Sequence, residues 1–593
     1  MGSFRAPQLF GVSKNRTLDI APKIDYNEEK IQGSEVGVMA FKVKVGGESF
    51  DVLRKAGCYY VDKSELIYDL VNSENTVSLF TRPRRFGKTL AMSMMESFFD
   101  IRRDSKALFS GLDIMKHAAF CKEWMNQYPV LFLSFKDAEG LTFEVAYGML
   151  KSIIADVCKK HAYLADSERA DEDDIAAFFR LKAQKATEQD LKSSLLILTR
   201  MMYAHFGKPV ILLIDEYDVP LAKANEEKEA GERYYPQMLD AIRGIMSTAL
   251  KSNDYLKFGV VTGCLRIAKE SIFTGVNNFA SYSVLDRRFS KYYGFTQDEV
   301  DGLLLAAGLQ EKSDIFQKWY DGYLFGDESV YCPWDVVSYA SDLLYSKKTK
   351  PKNYWKNTSS NSIIRDFVER TDFRVKGKFE ALMNGGTITQ TISDELTYDS
   401  LHETEDNLWS VLLMTGYLTK ANADEEGDTV SLKIPNAEIA SIFQDTVVKY
   451  FSDHVNGNEQ RKLMSALWAG DEAAASEGIS KLLWQTISYM DYHEDYYHAF
   501  LTGVFVGRGY EVESNKESGL GRPDIRLKDD DNRRALIIEA KKSVSKGQME
   551  HDCETALKQI MDNQYASGLE DYDVSCYGIA FYQKSALVKK LKK

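Results

Sequence analysis

Residues 77–99 have the sequence VSLFTRPRRFGKTLAMSMMESFF, and this stretch decides how the chain around it is expected to fold. An apolar run from Val77 to Phe80 is followed by a loop rich in Arg and Gly. After Gly87, Lys88 and Thr89, apolar residues recur at the spacing of a helix. In such a strand–loop–helix unit, backbone N–H groups and the helix N-terminus face a phosphate, the lysine reaches a distal phosphate and the threonine can hold Mg²⁺. The stretch therefore predicts a nucleotide site.

Length and composition limit what the chain can be. It has 593 residues, 44% of them hydrophobic, and a formal net charge of −13. At typical domain sizes this length predicts about three or four folded units. The acidic balance argues against indiscriminate binding to nucleic acid or anionic membrane, although local basic patches can still bind a nucleic acid.

Cysteine usage and hydropathy indicate the compartment. The seven cysteines are odd in number and widely spaced without a CxxC pair, which predicts neither a disulfide framework nor a zinc site. No apolar run approaches the about 18 residues needed to span a bilayer, and the first ten residues, MGSFRAPQLF, lack the hydrophobic core of a secretory signal. We therefore expect a cytoplasmic protein with no membrane partner. Homo-oligomerisation is left open.

Three short apolar runs predict further strands, each buried on both faces of a parallel sheet. They are YPVLFLSF (128–135), PVILLIDEYD (209–218) and LKFGVVTGCLR (256–266). The second run delivers Asp215 and Glu216 at its end. A P-loop NTPase uses such a pair to place one carboxylate near Mg²⁺ and the other near the attacking water. We expect Asp215 to share the metal with Thr89, and Glu216 to act in catalysis.

The third of these runs ends in Thr262 and Gly263, with Arg266 just beyond. Ligands in doubly wound sheets lie at the carboxyl ends of the strands. Thr262 or Arg266 is therefore placed to sense the γ-phosphate of a bound nucleotide, and an ordinary turn is the alternative.

The loop before the lysine departs from the general pattern GxxxxGK[ST]. Arg82 stands where the pattern has its first Gly, and Pro83 has no N–H to offer a phosphate. Nucleotide binding is for this reason better supported than hydrolysis. Arg84 and Arg85 are expected to contact phosphates of the nucleotide or of a nucleic acid, with solvated loop arginines as the alternative. Phe86 and Gly87 complete the predicted nucleotide-binding loop.

Two segments carry the pattern of a helix N-terminus. Asp62 is followed three residues later by Glu65, and Thr296 is followed in the same way by Glu299. An acceptor at the first position and Glu at the fourth, before an apolar run, predict capped helices in both places.

A second constellation lies near the C-terminus. The acidic turn DDDN (529–532) separates two runs with the composition of strands. If the hairpin is centred between Asp531 and Asn532, Asp524 lies opposite Glu539, and Lys541 shares a face with Glu539. Two carboxylates can hold one or two Mg²⁺ ions for phosphodiester hydrolysis, with the lysine orienting or polarising the nucleophile. A surface hairpin with an ion pair is the alternative.

Several longer motifs together carry a family resemblance. They are DKSELIYDLV, TRPRRFGKT, YPVLFLSF, VILLIDEYD, TGCLRIAKESIFTGVNN, YYGFTQDEV and WYDGYLFG. The chain resembles the AAA-ATPase-like family of bacterial proteins that also carry a C-terminal PD-(D/E)xK nuclease domain. The resemblance implies that Pro523-Asp524 and Glu539-Ala540-Lys541 are the nuclease motif. It further implies that Glu494 is an additional helix carboxylate and that Gln559 with Tyr565 are accessory residues.

Together these observations predict an α/β chain with four parts. We expect an N-terminal extension (1–40), a P-loop parallel sheet (41–295), a helical or winged-helix-like lid (296–455) and an α/β restriction-endonuclease-like domain (456–593). The expected cofactors are ATP and Mg²⁺, and the expected partner is nucleic acid, with DNA favoured over RNA. The predicted function is a nuclease controlled by the nucleotide state. The alternatives are a nucleotide-dependent signalling or binding switch with a non-cleaving docking domain and, less well supported, a P-loop kinase or transferase.

Overall fold

The computed structural model describes residues 41–225, 233–266, 272–273, 276, 278–355, 378–379, 381–383, 385–393, 396, 404–423, 425, 427–454, 457–486, 494–506, 511–514 and 523–592. Contacts divide the chain into Met1–Ala40 and Phe41–Lys593. The predicted extension (1–40) lies outside the described residues. Within the described part, no helix has both the length and the apolar character needed to cross a membrane.

A five-stranded, entirely parallel sheet forms the first part of the fold, as predicted. Its strands are β1 (Val77–Thr81), β2 (Val130–Ser134), β3 (Val210–Asp215), β4 (Leu256–Gly263) and β5 (Phe279–Tyr282). Their order across the sheet is β2-β3-β4-β1-β5. Since β4 lies between β1 and β3, the carboxyl ends of these three strands meet at one edge.

The segments before and between these strands form helices because their apolar residues recur at helical spacing, and the apolar faces of these helices pack on the sheet. They are α1 (Phe50–Lys55), α2 (Glu65–Val71), α3 (Lys88–Phe99), α4 (Lys106–Phe109), α5 (Ala118–Trp124), α6 (Phe143–Lys160), α7 (Glu172–Lys182), α8 (Glu188–Lys192), α9 (Ser194–Phe206), α10 (Val219–Asn225) and α11 (Tyr235–Leu250).

One of the two predicted helix caps is wrong. Asp62 does not cap α2, which begins at Glu65; its carboxylate instead accepts hydrogen bonds from Ser64 N and from Asp113 N, at 2.8 and 2.6 Å. The Thr296 capping box is confirmed, with both reciprocal hydrogen bonds to Glu299 present.

Residues 296–455, called here the middle region, combine helices with two small sheets. The elements are α12 (Gln297–Ala307), α13 (Ser313–Tyr320), β6 (Tyr323–Phe325), β7 (Glu328–Val330), α14 (Pro333–Tyr345), β8 (Ile388–Thr391), α15 (Glu405–Met414), β9 (Thr419–Lys420), β10 (Thr429–Lys433) and α16 (Ala437–His454). A small hairpin follows α15, since β9 and β10 pair antiparallel.

Residues 456–593, the C-terminal region, are built on a mixed sheet in the order β11-β12-β13-β14-β15, in which only β13 and β14 run parallel. Its elements are α17 (Gly457–Ala469), α18 (Glu472–Thr486), α19 (Glu494–Phe505), β11 (Glu511–Ser514), β12 (Ile525–Asp529), β13 (Arg534–Lys542), α20 (Met549–Asp562), β14 (Asp573–Tyr582) and β15 (Ser585–Lys590).

One hydrophobic core runs through the middle and C-terminal regions. It includes Phe86 before α3, Trp355 and Trp409 of the middle region, and Leu501 and Ile538 of the C-terminal region. The helices α16 and α19 also pack against each other. The two regions are therefore in apolar contact, and the boundaries at 295 and 455 stay predictions.

Candidate functional site

A cavity of about 440 Å³ lies beside the GKT loop (residues 82–89). Its walls include six predicted nucleotide-binding residues and the predicted catalytic Glu216, together with residues of three other segments. The predicted residues that line it are Arg84, Arg85, Phe86, Gly87, Lys88 and Thr89. The loop therefore faces a space into which a ligand can enter.

The loop geometry explains which residue types stand at its centre. Gly87 has φ 84°, in the left-handed region that favours glycine, and it directly precedes α3. Lys88 Nζ donates to the carbonyl oxygens of Arg82 and Pro83, both at 2.9 Å. The ammonium group is thus held inside the curve of the loop, where a phosphate would meet it.

Arg82, at the position of the missing Gly, is not among the residues that line this cavity in the described part of the chain. Its side chain is completely buried, and Nη1 donates to the carbonyls of Thr81 and Tyr282 at 2.9 and 2.8 Å. The guanidinium also lies over the rings of Tyr293 and Phe325. Burial lowers the pKa of Arg82 to about 10. The residue ties the end of β1 to β5, which accounts for the departure from the general loop pattern.

The predicted metal ligands Thr89 and Asp215 are in direct contact. Thr89 Oγ1 donates to Asp215 Oδ2 at 2.8 Å, and the hydroxyl of Thr262 donates to Asp215 Oδ1. Asp215 and Thr262 are completely buried behind Thr89. A hydroxyl and a carboxylate oxygen are hard ligands of the kind that Mg²⁺ accepts, so these residues fit the ion. Thr262 contacts the carboxylate, which makes it a positioning residue for Asp215 in this arrangement.

Glu216 lines the cavity, whereas Arg266 is not among the described residues that line it. Glu216 adopts φ 52°, and burial raises the pKa of its carboxyl while Lys88 opposes the shift. A carboxylate turned toward the space beside Lys88 suits the orientation of a water molecule. The backbone carbonyl of Arg266 accepts a hydrogen bond from Leu396 N at 3.2 Å. Arg266 is not among the described residues that form the cavity wall.

Arg85 and Phe86 of the GKT loop also contact the middle region. The Arg85 guanidinium stacks 3.7 Å from the ring centroid of Trp334, and its Nη1 donates to the Tyr354 carbonyl at 3.2 Å. The Phe86 ring is buried between the rings of Tyr323 and Phe325. Trp334 was not predicted as a site residue; the available signal was Pro333, which begins α14 and is directly followed by Trp334.

The predicted hairpin register in the C-terminal region is confirmed. The pairs run from Ile525 with Ile538 to Asp529 with Arg534, so that Asp524 and Glu539 follow opposite each other one position beyond. Asp524 N donates to Glu539 Oε2 at 3.3 Å, and Ala540 N donates to Asp524 Oδ2 at 2.7 Å. Lys541 Nζ lies 3.2 Å from Glu539 Oε1. The two carboxylates and the lysine do converge.

The electrostatics of this cluster favour a cation. Burial and the nearby charge of Asp524 raise the pKa of Glu539 to about 7, while Lys541 opposes the shift. A divalent cation would relieve the repulsion between two partly desolvated carboxylates, and oxygen ligands suit Mg²⁺. Among the side chains described, no group of three or more His, Cys, Asp or Glu could hold a metal. The residues present therefore fit Mg²⁺ if water, phosphate or backbone oxygens complete its coordination.

The N-terminal end of α19 lies at the same cluster. His498 Nε2 donates to the Asp524 carbonyl at 2.7 Å. Glu494 begins α19, one turn before His498 and on the same helix face; its side chain lies outside the described residues. The role of His498 was not predicted, although its spacing from Glu494 was visible in the sequence.

The predicted accessory residues also meet. Gln559 Nε2 donates to the hydroxyl of Tyr565 at 3.3 Å, and Asn563 Nδ2 donates to the same oxygen at 2.9 Å. Tyr565 packs in a cluster with Ile537 of β13. Since Ile537 and Glu539 share a face by the two-residue period of a strand, this pair lies on the face that carries the carboxylates.

Two segments of the chain match models of known protein families. Residues 44–273 match the family model for predicted AAA-ATPases, AAA-ATPase-like, and residues 492–591 match that for the PD-(D/E)XK nuclease superfamily. A relative from Azotobacter chroococcum mcd 1, described as an uncharacterized protein in the vnfD 5′ region, is 24% identical over 501 residues, covering 82% of this chain and 86% of that one. The GKT loop and Glu216 fall within the first matched segment, and the Asp524–Glu539 pair falls within the second. The chain therefore carries an AAA-ATPase-like domain at residues 44–273 and, at residues 492–591, a domain of the PD-(D/E)XK nuclease superfamily.

Proposed function

We propose that this protein binds and hydrolyses ATP and that its nucleotide state controls a Mg²⁺-dependent nuclease that acts on nucleic acid, with DNA favoured over RNA. The observation that carries the proposal is the pairing of Asp524 with Glu539 beside Lys541, in a chain whose GKT loop faces a cavity.

In the nuclease site, Asp524 and Glu539 are the metal ligands, with Glu494 as a further carboxylate. Bound Mg²⁺ would supply Lewis acidity that lowers the pKa of a water molecule and offsets charge on the phosphate. Lys541 then orients the water or stabilises the developing negative charge. Gln559, hydrogen-bonded to Tyr565, positions the substrate from the neighbouring helix.

In the nucleotide site, Lys88 and the loop N–H groups bind the phosphates, with Arg84 and Arg85 as further phosphate contacts. Thr89 and Asp215 are the metal ligands, supported by their direct hydrogen bond. Glu216 orients the attacking water. Thr262 holds the Asp215 carboxylate in place, and a contact of Arg266 with the γ-phosphate would require its side chain to reach a cavity that it does not line.

A second candidate function has one specific observation in its favour. The ion pair between Lys541 and Glu539 neutralises one of the two carboxylates, as expected in a fold kept for docking rather than cleavage. In that case the chain is a nucleotide-dependent signalling or binding switch.

A cleavage assay separates the two. Single- and double-stranded DNA and RNA are incubated with the full chain and Mg²⁺, with and without ATP, using wild type, Asp524→Ala and Asp531→Ala. Asp531 is exposed in the turn of the same hairpin and serves as the matched control. The proposal predicts cleavage by wild type and by Asp531→Ala but not by Asp524→Ala. Equal cleavage by Asp524→Ala would remove the nuclease assignment, and ATP-dependent binding without any cleavage would favour the switch.

A further inference from the structure

A chain of hydrogen bonds connects the GKT loop with a buried carboxyl group of the middle region. Arg85 Nη1 donates to the carbonyl of Tyr354 at 3.2 Å. The N–H of the same peptide group, on Trp355, donates to Glu438 Oε1 at 2.9 Å, and Tyr354 N donates to that oxygen at 2.5 Å. Because one peptide group accepts from Arg85 and donates to Glu438, the bonds at its two ends polarise each other.

Glu438 is paired with a second buried acid, Asp335 of α14. Both side chains are completely buried. Burial and the charge of Asp335 raise the pKa of Glu438 above its usual value, and burial raises the pKa of Asp335. Two carboxyl groups in contact away from water do not both ionise readily. Both oxygens of Asp335 and Oε2 of Glu438 are buried without a hydrogen-bond partner among the described donors, which leaves the two carboxyl groups to share a proton.

The other titratable groups that act on this pair are known from the elements around it. Burial raises the pKa of Cys332 at the start of α14 and of Tyr323 on β6 well above their usual values. Burial likewise raises the pKa of Tyr320 on α13 and of Tyr354. These four groups are neutral at physiological pH, so the charges that face each other across the cluster are those of Arg85 and Asp335.

Arg85 needs such support because of its backbone. It adopts φ 73°, a left-handed conformation that non-glycine residues rarely hold unless the surroundings enforce it. Three contacts connect Arg85 to the middle region: its guanidinium meets the ring of Trp334 and the carbonyl of Tyr354, and Cys332 Sγ makes a weak contact with its carbonyl at 3.9 Å. These contacts join the GKT loop to a distant part of the chain, since Arg85 and Tyr354 are 269 positions apart.

We propose that the proton shared by Asp335 and Glu438 positions Arg85, so that the middle region sets the affinity of the GKT loop for a nucleoside triphosphate. This inference rests on the proposed nucleotide site. By reciprocity, a ligand that moves Arg85 acts on Glu438 and on α16, which begins beside it. Since α16 packs on α19, and His498 of α19 holds the Asp524 carbonyl, the relay also gives a physical route from the nucleotide to the nuclease site.

The test measures binding of a fluorescent ATP analogue to the full chain with Mg²⁺. Glu438→Gln keeps an acceptor for the two N–H groups and a donor to Asp335, so its Kd is expected to stay within about twofold of wild type. Glu438→Leu removes both functions, and its Kd is expected to rise about tenfold or more. Gln444→Ala, exposed on the same helix, is the matched control and should bind as wild type does. Wild-type affinity in a folded Glu438→Leu variant would overturn the proposal.

A pH series keeps the proposal testable if Glu438→Leu does not fold. Because burial raises the pKa of Asp335, wild-type affinity is expected to weaken as the pH falls and Asp335 takes up a proton. Asp335→Asn cannot take up this proton. The phosphates of the analogue titrate alike with wild type and with the variant, so a change with pH in the ratio of the two Kd values reports on Asp335. Superimposable profiles would contradict the relay.

The shared proton has a readout that does not involve nucleotide. Burial raises the pKa of Glu438 above its usual value of 4.5, so this carboxyl binds its proton more tightly in the folded protein. The stability that this proton confers is complete below pH 4.5 and is lost as the pH rises toward the raised pKa. The Tm of Glu438→Gln relative to wild type should therefore rise between pH 5 and pH 8, and a constant difference would contradict the shared proton. If wild type binds no nucleotide while this Tm difference appears, the proposed nucleotide site fails and the proton pair stands.

Discussion

Asp524 lies opposite Glu539 across the β12–β13 hairpin, and its backbone N–H donates to the Glu539 carboxylate over 3.3 Å. This single register brings together two acids that are 15 positions apart. With Lys541 on the same strand as Glu539, the hairpin alone supplies three of the groups that the proposed hydrolysis requires.

Replacing Glu539 by Gln should abolish Mg²⁺-dependent cleavage while leaving the fold intact. The amide keeps the shape of the side chain but removes the negative charge that a cation needs, and a lost metal contact costs about 100-fold or more in activity. Cleavage rates and Tm should be measured together, with Asp531→Ala as control. Cleavage at the wild-type rate would remove Glu539 from the site.

Lys88→Ala and Glu216→Gln should separate binding from turnover. Loss of the ammonium group that the loop encloses is expected to abolish ATP binding, whereas Glu216→Gln should bind ATP and hydrolyse it at least about 100-fold more slowly. Isothermal titration and a phosphate-release assay give the two quantities, and Lys106→Ala, on the exposed surface, is the control. Unchanged ATP turnover in Glu216→Gln would exclude its role in orienting water.

Arg82→Gly restores the general loop pattern but should harm the protein. It leaves the buried Tyr282 carbonyl without its Arg82 donor and opens a space between the rings of Tyr293 and Phe325. We expect the free energy of unfolding to fall by about 2–4 kcal/mol, with no gain in ATP affinity. Chemical denaturation measures this against Arg169→Gly, an exposed turn residue. An unchanged stability with tighter ATP binding would contradict the structural role of Arg82.

His498→Ala should lower kcat for cleavage by about tenfold with little change in KM, because it removes one hydrogen bond that positions the Asp524 backbone. Steady-state kinetics on a DNA substrate test this expectation. His498→Gln, which can donate from a similar place, should recover part of the rate. A change in KM alone would indicate that His498 contacts the substrate instead.

Local sequence patterns predicted the elements whose causes are local. The DDDN turn fixed the register that pairs Asp524 with Glu539, and the apolar run before Lys88 predicted β1. The Asp62 cap failed because its carboxylate accepts from Asp113, 51 positions away, a contact to which no local pattern refers.

Tertiary contacts also hid part of the nucleotide site. The burial of Arg82 and the stacking of Arg85 on Trp334 arise only when β5 and the middle region fold against the GKT loop. The pairing of Asp335 with Glu438 likewise needs α14 and α16 to meet. These features depend on which segments become neighbours, and a single sequence does not specify that.

Control of the nuclease by the nucleotide state can be tested in one assay. The rate of Mg²⁺-dependent DNA cleavage by the full chain is measured with and without ATP, in wild type and in Lys88→Ala. We expect ATP to change the wild-type rate and to leave the rate of Lys88→Ala unchanged. Identical wild-type rates with and without ATP would contradict it.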